Sequence, residues 1–513
     1  MLREVYAMAI SKEAMLKLQN GSDVRGVAVA GVEGQPVTLT PETAQLIARA
    51  FVRWLAEKSK KSPEELKIGV GHDSRISARQ LEEQVLQGIR LEKAQPFDCG
   101  LASTPSMFMS VVFPETRYDG AIMITASHLP YNRNGLKFFD LDGGLEKADI
   151  TALLEKAAAL TPGRAEGTPA QVDLIGLYAE NLREKIRMGV RAEDYAHPLA
   201  GLHVVVDAGN GAGGFFVDQV LQPMGADTTG SQFLEPDGMF PNHIPNPENA
   251  QAMDALQKAT VQNHADLGII FDTDVDRMSA VLPDGTELNR DAIIAMMAAI
   301  LAPDYPGSTI VTDSVTSDRL TAFLEGTLGL KHLRYKRGYK NVINKQKELC
   351  AQGIRCPLAI ETSGHGAMSE NYYLDDGAYM AVKLLIAAAK MKQAGKPLAS
   401  LIQGLAPLCE AREYRLALAG EDFAAYGQQV LAAFEARAKE RGYQVAPNSY
   451  EGVRLSFQGP EVQGWALLRL SLHDPVMPLN LEGARPGDCD KLVAILRQLL
   501  DGFGRLDLSA LPG

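Results

Sequence analysis

The segment Lys67-Ile-Gly-Val-Gly-His-Asp73 decides how this chain is read: a short apolar run that closes on an acid and a polar turn. Residues of this kind form a buried strand bounded by turn formers. The same statement returns as HVVVDAGNG (His203 to Gly211) and TIVTDSVTS (Thr309 to Ser317). Asp73, Asp207 and Asp313 therefore mark three related α/β units. Between such strands the spacing is helical: Thr40 before Pro41 is a helix start, and Ile47, Phe51 and Leu55 then recur on one face. A second helix is expected over Val172 to Met188. Turn-rich punctuation places boundaries that give domains 1–199, 200–303, 304–408 and 409–513. Tyr305-Pro306-Gly307 and the end of a helical run at Ala406-Pro407 mark the last two. The last segment reads as α+β, with a helix over Glu421 to Gly442, strands at Gly452 to Phe457, Gly464 to Ser471 and Met477 to Leu481, and a helix from Asp490.

A chain of 513 residues holds several cores at about 100 to 200 residues per domain. Its 22% charged and 46% hydrophobic residues are those of a globular protein. With 51 Lys and Arg against 63 Asp and Glu, the formal charge is −12. An acidic chain without a basic run is a poor partner for nucleic acid or anionic lipid, which are bound through cations. The longest apolar run, Ala292 to Ala302, falls short of the roughly 20 residues that span a bilayer. Arg3, Glu4, Lys12 and Glu13 interrupt any signal-like stretch, so a cytoplasmic protein is expected. Five cysteines without a CxxC pair support neither a zinc ribbon nor a disulfide framework.

Five motifs could carry chemistry. In DTDVDR (Asp272 to Arg277), alternating acids after the apolar run DLGIIF offer three hard oxygen ligands, which suit Mg²⁺; the plain alternative is a solvated acidic turn. In Ala121 to Phe139, a strand delivers Ser127 and His128, and the turn signal Asn134-Gly135 is expected to bring Lys137 back beside them. In ETSGH, Glu361, Ser363 and His365 alternate and could grip sugar hydroxyls from one side of an extended segment. GNGAGG (Gly209 to Gly214), with Asp227 downstream, fits a dinucleotide fingerprint or a plain glycine turn. In RLSLHDP, Arg469, Ser471 and His473 alternate and could bind phosphate.

Taken in order, TASHLPYNRNGLK, DTDVDR, ETSGH and RLSLHDP resemble the four active-site loops of the α-D-phosphohexomutases, the phosphomannomutase/phosphoglucomutase family. The likeness extends to DVRG near Arg25, GHDSR, DAGNG, FPNHIPNP after Met239, and GYK at Gly338; roughly the first 18 residues look like an addition. The resemblance implies three related α/β domains with mixed sheets and a C-terminal α+β domain around a central cleft. It implies Ser127 as a phosphoserine, and Asp272, Asp274 and Asp276 as Mg²⁺ ligands with a phosphoserine oxygen. Arg277 would partner that phosphate. Arg25, His128 and Lys137 match positions near the reacting oxygen, with Lys137 handling the proton. Glu361, Ser363, His365 and Lys340 would bind the sugar, and Arg469, Ser471 and His473 the phosphate not being transferred. The implied activity interconverts hexose 1- and 6-phosphates of mannose or glucose, with a hexose 1,6-bisphosphate as intermediate and activator, in a monomer or homodimer. Phosphoglucosamine mutase, a non-catalytic sugar-phosphate binder and a nicotinamide oxidoreductase are the alternatives. The chain departs from the family pattern at Leu129 (usually Asn), Thr273 and Ile360 (usually Gly), and Leu472-His473-Asp474 (usually Gly-Thr-Glu). Val315 stands where some members carry a sugar-contacting Lys.

Overall fold

The computed structural model describes residues 10–447, 449–471 and 474–512. They form two compact units: residues up to Asn289 together with Ser363–Ser400, and Arg290–Thr362 together with Leu401 onward.

The first unit holds two mixed sheets. In one, strands Lys67–His72 and Gly120–Ile124 run parallel, and Arg133–Asp140 then pairs antiparallel with Gly120–Ile124. In the other, Val204–Asp207 is parallel to Leu267–Phe271, which Met278–Val281 joins antiparallel. The second unit repeats the parallel step, with Thr309–Thr312 flanked by Leu358–Ile360 and Lys331–Arg334. The recurrence of strand, acid and turn is therefore a recurrence of topology. Asp73, Asp207 and Asp313 are all fully buried at strand ends. Asp73 and Asp207 accept the backbone N–H two residues on, and Asp73 and Asp313 each accept a threonine hydroxyl from the neighbouring strand's end, Thr125 and Thr362. A buried carboxylate has to be hydrogen-bonded, so the acid ties the two strands and the turn together.

Helix Pro41–Ser59 starts where proline at its first position suggests, with Thr40 accepting from the Thr43 amide. It buries Leu46, Ile47, Phe51 and Leu55 against the first sheet's core. The second expected helix spans Leu174–Val190. The C-terminal sheet is antiparallel throughout, in the order Glu410–Ala417, Val476–Gly483, Gln463–Leu468, Val453–Gln458, Gln444–Val445. Helices Phe423–Glu440 and Asp488–Leu500 close its core around Leu416, Phe434, Leu455 and Leu496.

Three sequence readings change. Asn134-Gly135 lies inside strand Arg133–Asp140, and the reversal falls earlier, at 127–132. Strand Glu410–Ala417 escapes the sequence reading because it is an edge strand with polar residues on both faces, burying only Leu416. The helical run expected to end at Ala406-Pro407 stops at Gln393, with one short 3-10 turn, Leu398–Ile402, after it.

Candidate active site

The fully buried strand Leu267–Phe271 runs straight into Asp272–Arg277. The three carboxylates are buried and their ligand atoms lie within 4.8 Å of one another. This is no solvated acidic turn. Lys137 Nζ reaches Asp276 Oδ2 at 2.5 Å and Asp274 Oδ2 at 3.3 Å, and the Thr104 hydroxyl donates to Asp274 Oδ2 at 2.5 Å. Arg277 Nε stands 4.0 Å from Asp272 Oδ2. Asp274 Oδ1 and Asp276 Oδ1 have no hydrogen-bond partner among the described residues. Burial, with Asp276 and Asp274 adding to it, pushes Asp272 well above the usual carboxylate range. Asp276 is held below that range, because Lys137, His365 and Arg277 outweigh its burial. Orphaned oxygens and closely packed hard donors fit a divalent cation, and Mg²⁺ suits an all-oxygen set.

The loop geometry is forced. Val275, a β-branched residue, sits at φ +68, a conformation that persists only where surroundings over-determine it. The glycine turn after Val204–Asp207 is one such surrounding. A Cβ on Gly211 would meet the Thr273 carbonyl oxygen at 2.7 Å, and the Ala212 amide donates to that oxygen at 2.8 Å. GNGAGG therefore cradles the acidic loop, while Asp227 is spent on the Thr229 amide.

Ser127 faces this loop. It is buried, at φ +50, and its hydroxyl donates to Asp272 Oδ2 at 3.0 Å. Its Oγ is also 3.2 Å from His128 Nδ1. Burial, with Arg277 and Arg25 nearby, drives the His128 ring down to about 2, so it is neutral. Arg25 Nη1 donates to the Ala126 carbonyl at 2.5 Å and Nη2 pairs with Asp23 at 2.9 Å. Arg75, buried, gathers the Ser127, Leu129, Pro130 and Arg133 carbonyls and so ties off the whole serine loop. Lys137 arrives through the register that pairs it with Met123.

ETSGH is not extended. Thr362 and Ser363 form a turn and Gly364 has φ +93, so the three side chains do not alternate on one side. His365 joins the first unit's cluster: Nδ1 lies 2.5 Å from Asp375 Oδ2 and 3.7 Å from Asp276 Oδ1. Burial disfavours the charged ring, but Asp375 outweighs it and the ring is held above its ordinary value. Ser363 Oγ is buried without a hydrogen-bond partner among the described residues. Arg277 also reaches Glu248 at 3.7 Å.

Glu361, Lys340, Arg469 and Ser471 belong to the second unit. Glu361 Oε1 accepts the Gly338 amide at 2.6 Å. Lys340 lies in the first turn of helix Tyr339–Ala351. Arg469 Nη1 is 3.6 Å from Glu451 Oε1 and its Nε has no hydrogen-bond partner among the described residues. Burial depresses its guanidinium, partly offset by Glu451. The Ser471 hydroxyl accepts the Asp474 amide at 3.2 Å. Leu472 and His473 lie outside the described residues. Val315 packs against Trp465 and Leu467. The sequence reading missed Arg75, Thr104, Asp375 and Glu451. The GHDSR motif and the acidic pair Asp375-Asp376 were visible signals for two; Thr104 and Glu451 left none.

Residues 17–161, 177–285 and 289–408 match phosphoglucomutase/phosphomannomutase alpha/beta/alpha domains I, II and III. A phosphomannomutase/phosphoglucomutase of Pseudomonas aeruginosa is 29% identical over 93% of this chain and 95% of its own length. A phosphoglucosamine mutase of Lactobacillus johnsonii is 31% identical over 76% of this chain and 81% of its own. The crystal structure of a phosphoglucomutase/phosphomannomutase family protein from Burkholderia thailandensis superposes with a TM-score of 0.75 at 25% identity, covering 96% of this chain and 99% of that one.

Proposed function

Because this chain belongs to the phosphoglucomutase/phosphomannomutase family and is an intramolecular phosphotransferase acting on sugar phosphates, we propose that it interconverts hexose 1-phosphate and hexose 6-phosphate, of mannose or glucose, through a phosphoserine at Ser127. The observation that carries this reading is the 3.0 Å contact of Ser127 Oγ with Asp272 inside a buried trio of carboxylates. A serine phosphate of about −1.5 to −2 charge could not be held beside those carboxylates without cations.

Asp272, Asp274 and Asp276 would hold Mg²⁺ together with an oxygen of the phosphoserine. When bound, the ion supplies positive charge to the phosphoryl oxygens as transfer proceeds. The chain's own groups do the rest. Arg277 steadies the phosphate. As the sugar hydroxyl oxygen bonds to phosphorus, the bond from phosphorus to Ser127 Oγ breaks. The hydroxyl gives up one proton and the serine oxygen regains one, and Lys137 mediates that exchange. Arg25 and His128 orient the serine loop, the neutral His128 ring within hydrogen-bonding distance of Oγ. Glu361, Ser363, His365 and Lys340 hold the sugar, and Arg469, Ser471 and His473 hold the other phosphate. The resulting 1,6-bisphosphate reorients and returns its second phosphate to Ser127.

The ETSGH loop favours mannose or glucose phosphates over the phosphoglucosamine type. The 31% identity to a phosphoglucosamine mutase supports glucosamine phosphate as the second reading. Coupled assays across glucose, mannose, glucosamine and N-acetylglucosamine 1-phosphates, with bisphosphate present, separate the two. Ser127→Ala is expected to abolish turnover and leave the fold intact. Appreciable mutase activity in that variant would refute the phosphoserine role.

A further inference from the structure

Within the second unit, Glu451 sits where an anion would be expected. Its Oε2 accepts the Ser314 hydroxyl at 2.5 Å and the Arg337 backbone amide at 3.0 Å, while Oε1 lies 3.6 Å from Arg469 Nη1. A guanidinium, a hydroxyl and a backbone amide are donors of the kind that phosphate uses. The carboxylate is brought there by its own loop. Gly452 has φ +66, and a Cβ on it would meet the Leu468 carbonyl at 2.1 Å and Arg469 Cα at 2.8 Å, so only glycine lets this loop lie against Arg469. The ring of Tyr450 packs on Tyr335 at 4.8 Å, fastening the loop from the other side. Ser314, Tyr335, Tyr450, Glu451 and Arg454 also line a cavity of about 150 Å³, which gives the glutamate side chain somewhere to go.

We propose that Glu451 is a resident anion of the site that holds the untransferred phosphate: it occupies the Arg469 guanidinium, the Ser314 hydroxyl and the Arg337 amide, and an incoming phosphate binds by displacing it. The proposal rests on the reading of Arg469 as a phosphate ligand. Two anions at contact distance repel, so carboxylate and phosphate do not share the site. A phosphate dianion that bonds Arg469 bidentately displaces a singly charged carboxylate that reaches it at only 3.6 Å. Weaker anions do not, and the observed affinity is reduced by the fraction of molecules in which Glu451 is seated. Glu451 thus sets the charge a substrate must carry at that end.

Calorimetric titration of the full chain with inorganic phosphate and with glucose 1-phosphate tests this. Glu451→Gln, nearly isosteric, is expected to tighten both by about five- to tenfold, and Glu451→Asp, which keeps the charge on a shorter arm, by less. The gain must vanish in the Glu451→Gln/Arg469→Ala double variant. Binding that is unchanged or weaker in both single variants overturns the proposal, since the glutamate would then be merely positioning the arginine. A gain that persists in the double variant overturns it too. If Arg469→Ala alone leaves binding unaltered, what fails is the assignment of Arg469 to the phosphate.

Discussion

At the residue scale, the decisive feature is how one cation is shared among buried acids. Lys137 Nζ pairs with both Asp276 and Asp274, and nothing in its strand predicts that partnership. If it mediates the proton exchange, Lys137→Met lowers kcat by roughly 10²- to 10⁴-fold, the range of general acid–base contributions, with a much smaller change in KM. A loss confined to KM would reassign it to binding. Glu82 shows the opposite electrostatic situation away from this cluster. Burial raises its carboxyl from 4.5 to about 7, with Asp98 adding to the effect and Arg79 opposing it. Between those two values the folded chain keeps a proton that the unfolded chain has lost. This group's contribution is therefore present below about pH 4.5 and is lost as pH rises towards 7. Glu82→Gln is expected to stabilise the protein by ~2 kcal/mol at pH 8 and by little at pH 4.5, measured by denaturant melts. Equal effects at the two pH values would contradict the buried-proton account.

At the scale of elements, the loops are shaped by other loops. The acidic loop leans on the glycine turn through Thr273, and the serine loop hangs on Arg75. Gly211→Ala forces a methyl group to within 2.7 Å of a backbone oxygen. The expected result is a metal affinity lower by about tenfold, as for changes to groups that orient the ligands at other metal sites, read by titration of Mg²⁺ against protein fluorescence. An unaltered affinity would mean that the acidic loop holds its own shape. Much of this was legible beforehand: the strand Leu267–Phe271 and the acids after it, the helix from Pro41, and the serine after Gly120–Ile124 all follow from local pattern. The site of the reversal was not. Asn134-Gly135 has the composition of a hairpin turn, yet Asn134 donates to Ser77 and Gly135 lies opposite Arg25 in the neighbouring strand, because tertiary pairing outweighs a dipeptide preference.

At the scale of the whole molecule, a net charge of −12 and a buried acidic trio make a bound cation a matter of stability. A ligand that binds only the folded state at 100 times its Kd adds about 2.7 kcal/mol. Saturating Mg²⁺ is therefore expected to raise the melting temperature of the wild-type chain. The Asp272→Asn/Asp274→Asn/Asp276→Asn variant should lose that rise, and an equal rise in both would place the ion elsewhere. Some properties were settled by the sequence alone. Strand, acid and turn repeat three times because a buried strand needs apolar residues and its end needs a hydrogen-bonding group, both of which are local demands. The serine, the three acids and the ETSGH and RLSLHDP motifs could be picked out for the same reason. Their partners could not. Ser127 meets Asp272 across 145 positions, Lys137 meets Asp276 across 139, and Thr104 meets Asp274 across 170. Glu451 reaches Ser314 across 137. Such pairings leave no periodic trace, because charge complementarity acts through space and the chain records only what acts along it.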